Sequence, residues 1–71
     1  MMSEPITILA NGKVERFDAP RTLAEFVAAH GWKPTQVVVE RNGRVVARND
    51  FGAVMLADGD RLEVIVPVAG G

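Results

Sequence analysis

Few residues in this sequence could do chemistry. Cysteine is absent and His30 is the only histidine, so there is no thiolate nucleophile or thiolate metal site. No nucleophile–histidine–acid set can be assembled around one histidine at the end of a helical stretch, and no second imidazole or metal-ligand spacing joins it. In that position His30 reads as a partner for the helix dipole rather than a catalyst. What remains is the end of the chain, Pro67-Val68-Ala69-Gly70-Gly71. A main-chain carboxyl has a reference pKa of roughly 3.5, so Gly71 carries a carboxylate at neutral pH. Glycine lacks Cβ, so Gly70-Gly71 can lie extended in a slot too narrow for a side chain. The expectation is that Gly71 is the functional group, with Gly70, Ala69 and Val68 presenting it.

The remaining residues must form a body that carries this end. Seventy-one residues, 48% of them apolar, make one small domain, too small for an internal cofactor cavity. Eight basic against nine acidic residues argue against a nucleic-acid interface and a polybasic membrane anchor. Small size without disulfides suits a reducing compartment. The first residues lack the regions of a signal peptide, and no apolar run approaches the ~20 residues of a membrane span. The expected location is cytoplasmic.

Alternating runs on either side of Asn11-Gly12 predict a hairpin of Ile6 to Ala10 and Lys13 to Phe17, because a type I′ turn needs positive φ at both central positions. Thr22 and Glu25 have capping-box spacing. They open a helix whose buried stripe is Leu23, Phe26 and Val27, and which ends at Gly31. Trp32 is expected to cover the core where the chain leaves this helix. Val37 to Arg41, Asn42-Gly43 and Arg44 to Val46 predict a second hairpin with a short second arm. Arg48 to Gly52 suits a single 3₁₀ turn with Phe51 tucked inward. Ala57-Asp58-Gly59-Asp60 is a turn with Gly59 at positive φ. Arg61 to Val66 is the last strand, stopped by Pro67. Its alternation points Leu62, Val64 and Val66 toward the helix and Arg61, Glu63 and Ile65 to solvent. An exposed Ile65, with Leu9 on the same surface if Ile6 and Ile8 face inward, suggests a partner-docking patch.

One helix cannot cover both faces of a sheet, so the sheet should be mixed, packed on one face and wet on the other. The fold class expected is α+β. It is a β-grasp (ubiquitin-like) roll of four to five strands on one main helix, with residues 1–66 as the domain and 67–71 as a flexible carrier tail. The last strand is expected at its centre, beside the first.

In this order the motifs resemble the bacterial thiamine-biosynthesis sulfur carriers, the ThiS-type ubiquitin-like proteins. The resemblance lies in Asn11-Gly12, Thr22-Leu23, Val37 to Gly43, Val46-Ala47-Arg48, Leu56 to Glu63 and the terminal Val68 to Gly71. Phe51 stands where those carriers often have tryptophan. The resemblance implies a carrier and co-substrate, not an enzyme. An E1-like (ThiF-type) adenylyltransferase would use ATP and magnesium to activate Gly71. Sulfur drawn from a source such as a cysteine desulfurase would then give a thiocarboxylate, and a ThiG-type thiazole synthase would receive it. No cofactor or metal is expected on this chain, and neither nucleic acid nor membrane among its partners. The molybdopterin-synthase small subunit, of the same fold and ending, is an alternative. A β-grasp interaction module with an incidental tail is another.

Overall fold

The computed structural model describes residues 4–68. Asn11-Gly12 and Asn42-Gly43 each take positive φ at both residues, at 50° and 80° and at 52° and 86°. The turns are therefore of the mirror-image kind whose twist matches the strands they join. The first joins β1 (Ile6–Ala10) to β2 (Lys13–Phe17), and the second joins β3 (Val38–Arg41) to β4 (Arg44–Val45). With β5 (Arg61–Ile65) they form one five-stranded sheet in the order β2-β1-β5-β3-β4. The last strand is central, parallel to β1 and antiparallel to β3.

Helix α1 (Leu23–Ala29) lies across one face and buries Leu23, Phe26 and Val27. Its termini are satisfied group by group. At the start, the Leu23 N–H donates to the Val54 carbonyl and the Ala24 N–H to that of Phe51. The Glu25 N–H donates to Thr22 Oγ1 at 3.1 Å, and the Thr22 N–H donates to Glu25 Oε1 at 2.8 Å, closing the capping box. The bond from the Thr22 N–H, and after it the one that the Thr22 hydroxyl donates to Glu25 Oε1 at 3.1 Å, hold the Glu25 carboxyl below its ordinary pKa. At the other end, the Gly31 N–H returns to Ala28 and the Trp32 N–H to Val27, a Schellman pair around Gly31 at φ 81°.

The stretch between β4 and β5 therefore does more than connect. Its 3₁₀ turn, Arg48–Asp50, leads into Phe51, which is buried against the helix-side core together with Leu56. Inward residues of β1 and β5 (Ile6, Ile8, Ala10, Leu62 and Val64) complete that core with Val37 and Val39. Trp32 is half-buried against it. Among the described residues no helix is long and apolar enough to cross a membrane.

Three boundaries differ from the sequence reading. Strand β3 begins at Val38, because Val37 is the buried cap of the preceding 3₁₀ turn, Pro34–Gln36. The second arm is only Arg44–Val45, because Val46 turns inward while its N–H bonds the Val39 carbonyl. Strand β5 stops at Ile65, and Val66 is 46% exposed rather than packed under the helix. Alternation alone points Val66 inward. Beyond Ile65, however, β5 has lost both neighbours: β1 has turned away at Asn11, and pairing with β3 ends at Val38.

Candidate functional site

Residues 66–68, which lead toward Gly71, follow directly from the central strand of the sheet. Strand β5 is anchored on both edges by side chains from the two Asn-Gly turns. At its start Asn42 accepts the Arg61 N–H at Oδ1 (2.8 Å), while its Nδ2 donates to Asp60 Oδ1 (3.0 Å). Asp60 is 6% exposed. Its carboxylate also accepts from the Arg41 guanidinium (2.9 Å) and from the Ala57 N–H (2.8 Å). Burial alone would raise the Asp60 carboxyl. The donors from Ala57, Asn42 and Arg41 outweigh that effect and hold it below the ordinary carboxylate value. Near its far end, Val64 is gripped by Asn11, whose Oδ1 accepts the Val64 N–H (2.7 Å) and whose Nδ2 donates to the Val64 carbonyl (3.2 Å).

Of the four residues expected to carry or present the reactive group, Val68 is described and is 93% exposed. Ala69, Gly70 and Gly71 lie outside the described residues. The two expected docking residues share the face of the sheet opposite the helix. Ile65 is 50% exposed and Leu9 is half-buried. They do not form one patch. Leu9 is level with Arg61 and Ile65 lies four residues further along β5, which is about 13 Å at ~3.3 Å per residue. Each has instead an apolar cross-strand partner, Val14 opposite Leu9 and Val38 opposite Ile65. Glu40 and Glu63 face each other in the interval. Like charges directly opposite are unfavourable in a sheet.

The sequence reading did not name Val14 or Val38. Val14 was accessible from the turn alone: a two-residue loop at Asn11-Gly12 pairs Ala10 with Lys13, and hence Leu9 with Val14. Val38 was not, because its place opposite Ile65 depends on a long-range register.

On the helix side of the sheet a cleft of about 250 Å³ opens between the β1–β2 turn and the end of α1. In it His30 Nε2 lies 3.1 Å from Glu15 Oε1, and the imidazole stacks on Trp32 with centroids 4.9 Å apart. His30 stands at the C-cap of α1, and its side chain's polar partner comes from β2. No group of three metal-ligating side chains occurs among the described residues.

A family model described as the ThiS family matches residues 3–71. The chain is 39% identical over 61 residues to a thiazole synthase of Magnetococcus marinus, covering 86% of this chain and 19% of that protein. It is 31% identical over 64 residues to a thiazole synthase of Paramagnetospirillum magneticum, covering 90% of this chain and 20% of that one. The chain thus spans about a fifth of the length of these curated relatives. Among solved structures, the thiamine biosynthesis protein ThiS of Geobacter metallireducens superposes with a TM-score of 0.78 at 30% identity. That match covers 93% of this chain and all of the other. A solution structure of a thiamine biosynthesis protein from the same organism gives 0.75 at the same identity, covering 93% of this chain and 88% of the other.

Proposed function

The chain belongs to the ThiS family of ubiquitin-like sulfur carriers, and on that premise we propose that the carboxylate of Gly71 carries sulfur for the thiazole moiety of thiamine. The observation that carries this reading is the family match itself, which runs through Gly70-Gly71 to residue 71. One carboxylate oxygen attacks the α-phosphorus of ATP, bound with magnesium on a ThiF-type adenylyltransferase, and pyrophosphate leaves. Sulfide then attacks the acyl carbon and AMP leaves; where a cysteine desulfurase supplies the sulfur as a persulfide, a thiol reductant releases it at the sulfide level and is itself oxidised to a disulfide. The thiocarboxylate formed has a nucleophilic sulfur to deliver. Similarity to two thiazole synthases favours a ThiG-type acceptor over the molybdopterin branch. The chain contributes binding and presentation, the catalytic groups belonging to its partners.

Incubation with the adenylyltransferase, ATP and sulfide, read by intact mass, tests this. Wild-type chain should gain the mass of one oxygen-to-sulfur exchange. Gly71→Ala should be converted some 10- to 100-fold more slowly, since misplacing the reacting group by an ångström costs on that order. One residue added after Gly71 should abolish conversion. A wild-type chain that binds its partner but gains no sulfur is a binding module with an incidental tail, and that result would overturn the carrier reading.

Docking falls to the open face of the sheet, through Ile65 with Val38 and Leu9 with Val14. Ile65→Glu should raise the Kd for the adenylyltransferase about tenfold, ~1.4 kcal/mol, with the fold intact. An unchanged Kd removes Ile65 from the surface.

A further inference from the structure

The hydrogen bonds between β1 and β5 advance in steps of two residues. The Leu9 N–H donates to the Asp60 carbonyl, and the Asn11 N–H to the Leu62 carbonyl, each at 2.9 Å. The next rung falls on Val64. By then β1 has turned back at Asn11-Gly12 and has no peptide group to offer. The Asn11 side chain makes that rung instead. Its Oδ1 takes the Val64 N–H and its Nδ2 reaches the Val64 carbonyl. A carboxamide presents the same donor and acceptor as a peptide group, so it closes the edge that the turn leaves open.

On the opposite edge, pairing with β3 ends at Val38 opposite Ile65. Among the described residues, Val64 is therefore the last held on the β1 edge and Ile65 the last paired on the β3 edge. We propose that Asn11 is a positioning residue for the carrier reaction. By fixing both polar groups of Val64 it sets the direction in which residues 66–71 leave the body, and so where the Gly71 carboxylate arrives when the body is docked. This rests on the carrier reading given above. The leverage is geometric. Six extended residues span about 20 Å, and a swing of about 10° at Val64 moves their far end by about 3.5 Å. Misplacement of about 1 Å can already cost 10²-fold in rate.

The turn and the grip are separable. Glycine accepts the left-handed φ of Asn11 without a side chain, and Asp-Gly also closes this turn type. Asn11→Gly therefore keeps the turn and removes the grip, while Asn11→Asp sets an oxygen against the Val64 carbonyl. Both variants and the wild type would be assayed for thiocarboxylate formation with the adenylyltransferase, ATP and sulfide while the carrier concentration is varied. Amide hydrogen exchange would be followed on the free carriers. The expected result is faster exchange at Val64, unchanged protection across β1 and β2, and kcat lowered about tenfold. KM, set by docking of the body, should stay within about twofold of wild type. Equal kcat for wild type and both variants would overturn this inference alone. So would a loss of kcat that tracks lost protection across the whole sheet. Failure of the wild-type chain to be converted at all would overturn the carrier reading, and this inference with it.

Discussion

The two Asn-Gly turns have the same sequence and nearly the same backbone angles, yet they hold β5 in different ways. Asn42 grips Arg61 on the β3 edge and is itself held by the buried Asp60, which also gathers Arg41 and Ala57. Asn11 grips Val64 on the β1 edge and makes no other side-chain hydrogen bond among the described residues. One turn is part of a charged network that closes the body. The other touches only the stretch from which residues 66–71 depart. The difference teaches that an Asn-Gly dipeptide specifies a turn locally, while the use of its side chain is decided by what the sheet brings alongside.

Breaking the network should have the largest effect. Asp60→Ala leaves Arg41, Asn42 and Ala57 donating into a space with no acceptor, and should lower stability by about 3 kcal/mol, read from urea unfolding at neutral pH. The same carboxylate sets the acid side of the stability curve. Its folded pKa lies below the unfolded value of 3.8, so its contribution is complete above that pH and is lost as pH falls through the folded value. Asp60→Ala should show a shallower decline on acidification, with the part due to Glu25 remaining. An identical slope in the two proteins would mean that Asp60 is not a paired, ionised group.

Next in size is the contrast between the turns. Asn42→Gly should cost about 2 kcal/mol and Asn11→Gly about 1 kcal/mol or less, measured in the same unfolding series. Both replacements suit positive φ, so the difference reports the side chains alone. Equal losses would erase the distinction between a closing turn and a guiding one.

Most of the fold was legible in the sequence because its signals are local. Both turns, the Thr22–Glu25 box, the Leu23-Phe26-Val27 stripe, the inward Phe51 and the positive φ of Gly59 each follow from residues within a few positions. The central place of β5 followed from its apolar alternation. What escaped was set by distant partners. Asp60, in an Ala-Asp-Gly-Asp sequence that reads only as a turn, is buried because β3 supplies Arg41 and the turn after it supplies Asn42. Val66 reads as inward only while a neighbouring strand is assumed. Of the candidate site, the open face of the sheet proposed for docking was half legible. Ile65 and Leu9 were visible, whereas their separation and the company of Val38 and Glu40 needed the register. The grip of Asn11 on Val64 spans 53 residues, and no local pattern announces it.

That span has a consequence for how the domain comes into being. The central pair of the sheet joins its first strand to its last, so closing it fixes a loop of about fifty residues and carries a loop-closure entropy that the hairpins do not. During synthesis the β1–β2 hairpin and α1 can form early, but their shared apolar face stays uncovered until β5 is inserted between β1 and β3. A nascent chain interrupted before Ile65 has neither the middle of its sheet nor the strand that bears the residue proposed for docking. A body fit to be recognised therefore exists only after translation has passed the strand that leads to Gly71.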